Sequence, residues 1–116
     1  RDADMVIDVR FLRNPHYEAN LRPLTGQDAG VGHFIEQDPD FDAFMTRLID
    51  LFFLLLPRFN EEGKSYLTIA IGCTGGRHRS VYVAERLRSW FAGRTAQVEV
   101  RHRELSFDPD QVEVRS

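Results

Sequence analysis

Apolar residues along the chain alternate between two kinds of cluster. The β-branched run Met5-Val6-Ile7-Asp8-Val9 predicts a first strand, buried on most of both faces and ending at Arg10. Phe41, Phe44, Met45, Leu48, Leu51, Phe52 and Leu55 recur at three- and four-residue spacing, which predicts a long amphipathic helix. Asp38 as N-cap and Pro39 at the first helical position would open it, and Pro57 would stop it before a turn over residues 60–63. A shorter helix is expected over residues 31–37. The run 66–71 has too few polar residues for an exposed face and predicts a second strand. From Ser80 a second long helix turns Val81, Ala84, Leu87, Trp90 and Phe91 inward, with Gly93 closing it. A third strand begins at 97–100 and ends near Arg101-His102-Arg103; Val112-Glu113-Val114 in the tail suggests an edge strand.

Strand, helix, strand, helix, strand implies right-handed crossovers. The expected fold is therefore α/β: three layers, a mostly parallel sheet, and a glycine-rich phosphate loop between the second strand and the following helix. Residues 11–32 read as a long polar connection, of the kind that tends to carry function. The 116 residues give room for one domain, expected to span 1–116 with a divergent tail from about 106. With 42% hydrophobic and 28% charged residues the chain is of globular composition, and a net charge of -3 excludes a uniformly basic nucleic-acid surface. One cysteine, Cys73, excludes an internal disulfide and a four-cysteine zinc site. The longest apolar run, 51–56, is far shorter than the ~20 residues of a membrane span. The charged start is unlike a secretory signal, so a cytoplasmic protein with no membrane contact and no cofactor is expected.

Ligands of open α/β sheets bind outside the carboxyl ends of the strands. Those ends here carry Arg10 and Arg13, then Arg77, His78 and Arg79, then Arg101, His102 and Arg103. Cations at three strand ends of a net-acidic chain point to a pocket for a compact anion; solvated ion pairs at exposed termini are the alternative. The loop 72–80 sharpens the first reading. Its glycines let successive N–H groups point inward, the helix start adds its dipole, and Arg79 and Ser80 stand ready for phosphate oxygens. Walker A, GxGxxG and GxSxG patterns are absent from the 116 residues. Cys73 and Arg79 do form C-x5-R followed by Ser80, as in the phosphate loop of cysteine-dependent phosphatases, although Gly72 stands where many of those enzymes have His. Asp28 would be the candidate general acid, Asp8 being committed to its strand end. Alternatively Cys73 is a small half-buried residue at a strand end. His16, His33, His78 and His102 lack the short spacing of metal ligands, so no metal site is expected. His16 lies in the loop leaving the first strand, near the crevice.

The segments Asp8-Val9-Arg10-Phe11-Leu12-Arg13-Asn14-Pro15-His16-Tyr17, Leu21-Arg22-Pro23-Leu24-Thr25-Gly26 and Ser65-Tyr66-Leu67-Thr68-Ile69-Ala70-Ile71-Gly72-Cys73-Thr74-Gly75-Gly76-Arg77-His78-Arg79-Ser80-Val81-Tyr82 closely resemble the C-terminal domain of the RapZ (RNase adapter) family. Arg101-His102-Arg103 continues the resemblance, which covers about residues 3–105. It implies a non-catalytic sensor that binds glucosamine-6-phosphate, self-associates, and belongs to a protein that binds small RNAs in controlling amino-sugar synthesis. Matching by motif, His16 would contact the ligand, and Thr74, Gly75, His78 and Arg79 would hold its phosphate; Gly76 and Ser80 join them from the reading of the loop itself. Asp8 and Arg10 would reach the sugar hydroxyls or amine. Apart from the resemblance, the cations Arg77, Arg101, His102 and Arg103 are candidate contacts for RNA or another anion, which keeps an RNA-binding module as an alternative. Two departures stand out: no Walker-type segment occurs in these residues, and an acidic tail follows where the RNA-binding member is basic, which should weaken RNA contact.

Overall fold

A computed structural model describes residues 3–94 and 97–105. Its elements are strand β1 (Met5–Asp8), a 3-10 turn (Pro15–Tyr17), helices α1 (Ala29–Glu36) and α2 (Phe41–Glu61), strand β2 (Leu67–Cys73), helix α3 (Arg79–Phe91) and strand β3 (Val98–Glu104). The strands form one parallel sheet in the order β1-β2-β3. The α/β class read from the sequence is what the chain adopts.

Two right-handed crossovers that advance in the same direction set their helices on the same face of a sheet. The apolar residues bear this out: Met5, Ile7, Leu67, Ile69, Ile71, Cys73, Val98 and Val100 all belong to one strand face and join one core with α1, α2 and α3. The described residues thus make two layers, where three were expected. The opposite face carries Val6, Thr68, Ala70, Glu99 and Arg101. For the same reason β1 is not buried on both faces: Met5 and Ile7 turn inward while Val6 is 46% exposed. β2, in the middle, is buried along its whole length.

In α2, Phe41, Met45, Leu48 and Phe52 form the buried stripe, and Phe52 meets Phe91 of α3 with ring centroids 5.6 Å apart. Full burial of such side chains contributes roughly 1.5–3 kcal/mol each. Both boundaries of this helix differ from expectation. Asp38 does not cap it: its carboxylate accepts from the backbone N–H of Asp40 at 2.9 Å and from that of Arg13 at 2.8 Å, making a turn that ties the loop after β1 to the start of α2. Pro57 lies inside the helix, which runs one turn further. Its ring removes one i→i−4 bond, to the carbonyl of Phe53, and Phe53 is 60% exposed, so water can satisfy the orphaned oxygen. α1 begins two residues earlier than expected, and β3 runs through Arg101-His102-Arg103 to Glu104. α3 ends at Phe91, with Gly93 left-handed (φ 76°) just beyond it, as its position predicted. The edge strand expected at 112–114 lies outside the described residues. No helix among the described residues is long and apolar enough to cross a membrane.

Candidate nest at the β2–α3 junction

The strand–loop–helix junction is built from glycine. β2 ends at Cys73, and Gly75 and Gly76 then take left-handed conformations in succession, with φ 83° and 64°. A Cβ on Gly75 would meet nothing within 4 Å, whereas one on Gly76 would lie 2.8 Å from the backbone nitrogen of Glu104. Gly76 is thus required both by its backbone angle and by the close passage of β3. The backbone N–H groups of residues 74–79 find no acceptor among the described residues. Six successive donors without a described acceptor, at the start of a thirteen-residue helix whose dipole adds to them, suit a multivalent anion.

The long connection after β1 folds over this junction. Nε2 of His78 lies 3.2 Å from the carbonyl oxygen of Arg22, and a guanidinium nitrogen of Arg77 donates to the carbonyl of Pro23 at 3.0 Å. The N–H of Gly26 donates to the carbonyl of Arg77 at 2.9 Å. Thr25 and Asp28 stiffen the strap, the Asp28 carboxylate accepting from the Thr25 N–H at 2.8 Å. Further up the chain, Nε of Arg22 donates to the carbonyl of His16 at 2.6 Å, and Asn14 caps the 3-10 turn by accepting from the N–H of His16 at 3.1 Å. The exposed His16 ring is therefore carried on a turn linked to the glycine loop through Arg22.

The remaining sequence-predicted residues divide into those gathered here and those held elsewhere. Thr74, Gly75 and Arg77 are exposed on the loop, and His78 is buried beneath the strap. Arg79 is only 4% exposed, and its guanidinium donates to the carbonyls of Arg10 and of Leu12, the latter at 3.2 Å. It pins the exit of β1 to the first turn of α3. Asp8 and Arg10 pair with each other, Nε to carboxylate at 2.7 Å, beside that exit. Arg101 and Arg103 align with Ala70 and Gly72, whereas His102 aligns with Ile71 and so faces the other side of the sheet. Arg101 is ion-paired with Glu99 at 2.6 Å in mid-strand. The Arg-His-Arg segment therefore does not converge on the nest as three cations from one strand end.

Cys73 is fully buried. Its thiol lies 3.1 Å from the hydroxyl of Ser80, and the Ser80 N–H donates to the sulfur at 3.2 Å. Sulfur and hydroxyl face each other inside the junction and brace it from within. A nucleophile needs an exposed thiolate with a path to phosphorus, and this geometry provides none. Asp28, the candidate general acid, is engaged with Thr25 at the strap. No cluster of three or more metal-ligating side chains occurs among the described residues. Two surface grooves, one along α2 at Phe44, Arg47 and Leu51 and one between α2 and α3 at Phe53, Pro57 and Trp90, lie apart from the loop. Their walls are largely apolar and lack the donor array that an anion needs, so the nest is the better candidate for a phosphate.

Sequence reasoning drew attention to the glycines between the second strand and the following helix, where Gly75 and Gly76 lie, but assigned no role to Arg22, Pro23 or Gly26. The signal was present, since Arg22-Pro23 and Thr25-Gly26 punctuate the long connection. Nothing local, however, says which distant backbone such a segment will meet.

Comparison with known proteins bears on the same stretch of chain. The family model described as the RapZ C-terminal domain matches residues 1–106. A nucleotide-binding protein of Rhodospirillum rubrum is 56% identical over 109 residues, covering 94% of this chain and 34% of that protein. One of Paramagnetospirillum magneticum is 58% identical over 105 residues, with 90% and 34% covered. A nucleotide-binding protein encoded in the ptsN-ptsO intergenic region of Shewanella violacea is 50% identical over 107 residues, with 92% and 38% covered. The chain spans about a third of the length of these relatives, whose names describe binding rather than catalysis.

Proposed function

The chain belongs to the RapZ C-terminal domain family, and on that premise we propose that residues 1–116 form one non-catalytic regulatory unit binding a phosphorylated amino sugar of the glucosamine-6-phosphate type. The observation that carries the proposal is the run of six N–H groups over residues 74–79 that find no acceptor among the described residues, at a helix start tied to a strap that leads to His16. Those donors match the oxygens of a phosphate monoester. His16 and the Asp8–Arg10 pair supply polar groups beyond it for hydroxyls and an ammonium. Thr74, His78 and Ser80 belong to the phosphate side of this reading, Ser80 through its backbone and its brace on Cys73. Arg79 serves by holding the crevice walls together and by its charge. The nucleotide binding named for the longer relatives is consistent with the same phosphate chemistry. A cytoplasmic setting and self-association belong to the proposal as well.

The test is calorimetric titration with glucosamine-6-phosphate, glucose-6-phosphate and inorganic phosphate, on the wild type and on His16→Ala. The amino-sugar phosphate should bind well beyond both comparisons, and His16→Ala should remove that advantage while phosphate binding persists. If all three bind alike and weakly, the loop is a generic anion nest and the sensor reading fails. RNA contact is a second proposal, supported by exposed Arg77, His102 and Arg103 near the same end of the sheet. A gel shift at physiological salt tests it: binding without any sequence or shape preference would reduce that surface to a polyanion site.

A further inference from the structure

The two histidines of the crevice sit on separate segments, and one residue touches both. Arg22 reaches forward with its side chain, Nε donating to the carbonyl of His16 at 2.6 Å, and back with its own carbonyl, 3.2 Å from Nε2 of His78. A carbonyl only accepts, so Nε2 of His78 is the protonated nitrogen and Nδ1 is the one left for other partners.

The remaining hydrogen bonds of the His16 turn are local. Asn14 accepts from His16 and Tyr17, Pro15 accepts from Glu18, and Glu18 accepts from Leu21 and Arg22. The segment containing Arg22 is, by contrast, anchored to the glycine loop at Arg77 and His78 by the bonds of Arg22, Pro23 and Gly26. The Nε bond of Arg22 is thus the side-chain link from this anchored segment to His16 itself, beside the backbone bonds by which Leu21 and Arg22 reach the Glu18 carbonyl at the end of the turn.

We infer that Arg22 is a positioning residue: its guanidinium clasps the His16 turn to the glycine loop and so sets the distance between the sugar-facing and phosphate-facing sides of the crevice. This rests on the ligand reading above, in which His16 faces the sugar. The substitution Arg22→Ala is well suited to test it, because it deletes the donor to His16 and leaves the backbone carbonyl that receives His78.

The experiment combines titration of Arg22→Ala and Arg22→Lys with glucosamine-6-phosphate and with inorganic phosphate, and amide exchange at Tyr17 and Glu18 followed by NMR. Arg22→Ala should weaken the sugar phosphate roughly fivefold, the loss of one exposed charge-assisted hydrogen bond, and leave inorganic phosphate unchanged. Arg22→Lys should recover part of that loss, since an ammonium can donate to the same carbonyl. Exchange at Tyr17 and Glu18 should quicken in Arg22→Ala. An equal fall for both ligands would make Arg22 a direct phosphate contact and overturn the inference. So would unchanged amide exchange, whatever the titrations give. If the wild type binds neither ligand, the sensor reading fails by itself, and exchange alone decides the clasp: faster upholds it, unchanged overturns it.

Discussion

At Gly26 the strap lies directly against the start of α3, and replacing this glycine by Ala measures how firmly the two are seated. A Cβ there would stand 2.4 Å from the carbonyl oxygen of His78, 2.5 Å from the nitrogen of Tyr82 and 2.8 Å from Cβ of Val81. Two of these three atoms are the partners of the first hydrogen bond of α3, in which the Tyr82 N–H donates to the His78 carbonyl at 3.0 Å. They cannot swing aside as a side chain would. Gly26 is not among the residues with positive φ, so Ala meets no backbone penalty and the whole effect is steric. The strap must lift. Overpacking of this kind costs about 1–3 kcal/mol. Loss of the Gly26 to Arg77 backbone bond adds about 1 kcal/mol. The expected destabilisation is therefore about 2–4 kcal/mol, or on the order of 10 °C in Tm for a domain this size. Urea unfolding checks it, with an unchanged m-value showing that the folded and unfolded states keep their extents. Gly30→Ala is the control. Inside α1 its Cβ would meet only Leu21 Cδ2, at 3.5 Å, and Ala should stabilise by about 0.5–1 kcal/mol. If Gly26→Ala came within 0.5 kcal/mol of the wild type, roughly the scatter of a neutral surface change, the strap would not be seated as described.

Other substitutions separate the scaffold from the binding surface. Gly75→Ala meets no neighbour but forces φ 83° on a side chain, so it should cost about 1–2 kcal/mol and weaken phosphate binding by redirecting the loop amides; calorimetry and urea unfolding read the two effects. Arg79→Ala leaves the carbonyls of Arg10 and Leu12 without their donor in a buried setting and should destabilise by about 2–4 kcal/mol in urea unfolding, so its affinity loss must be compared at matched folded fraction. Cys73 should react with a thiol reagent only after denaturation, and the protein should release no phosphate from an aryl phosphate; rapid native labelling would return the phosphatase reading to consideration. Pro57→Ala restores a donor within α2 and should raise stability by about 1 kcal/mol, measurable as a higher urea midpoint.

Periodicity made the elements legible. The 3.6-residue stripe of α2 and the apolar run of β2 specify type and approximate extent because burial imposes them locally. What periodicity could not supply was the number of layers, which depends on the direction in which the crossovers advance and not on any one segment. Asp38 and Pro57 misled for a related reason. Both have strong local preferences, but Asp38 was taken by the backbone of Arg13, twenty-five residues away, and Pro57 fell where water can meet the carbonyl that its ring leaves unbonded. In the candidate site, the turn between β2 and α3 was readable as a turn because positive φ and a helix start leave a mark in composition. The occupations of Arg79, Arg101 and Cys73 were not. An arginine at a strand end looks the same in sequence whether it faces solvent, a carboxylate or two backbone carbonyls.

The hydrogen bonds that roof the crevice join parts of the chain that are remote from one another. Arg22 and His78 are 56 positions apart, Pro23 and Arg77 54, and Arg10 and Arg79 69. The unit β2–α3–β3, by contrast, closes on itself over fewer than forty residues, with Arg88 of α3 reaching Val100 only twelve positions on. Loop-closure entropy grows with separation, so this C-terminal unit is favoured to organise first, and the N-terminal half of the chain settles upon it. The amide cradle is then outlined before its roof exists. A ligand that touches both parts reports on the last contacts made. At a hundred times its dissociation constant it would add about 2.7 kcal/mol to stability. Because those contacts form late, that increment would appear as slower unfolding and leave the folding rate nearly unchanged.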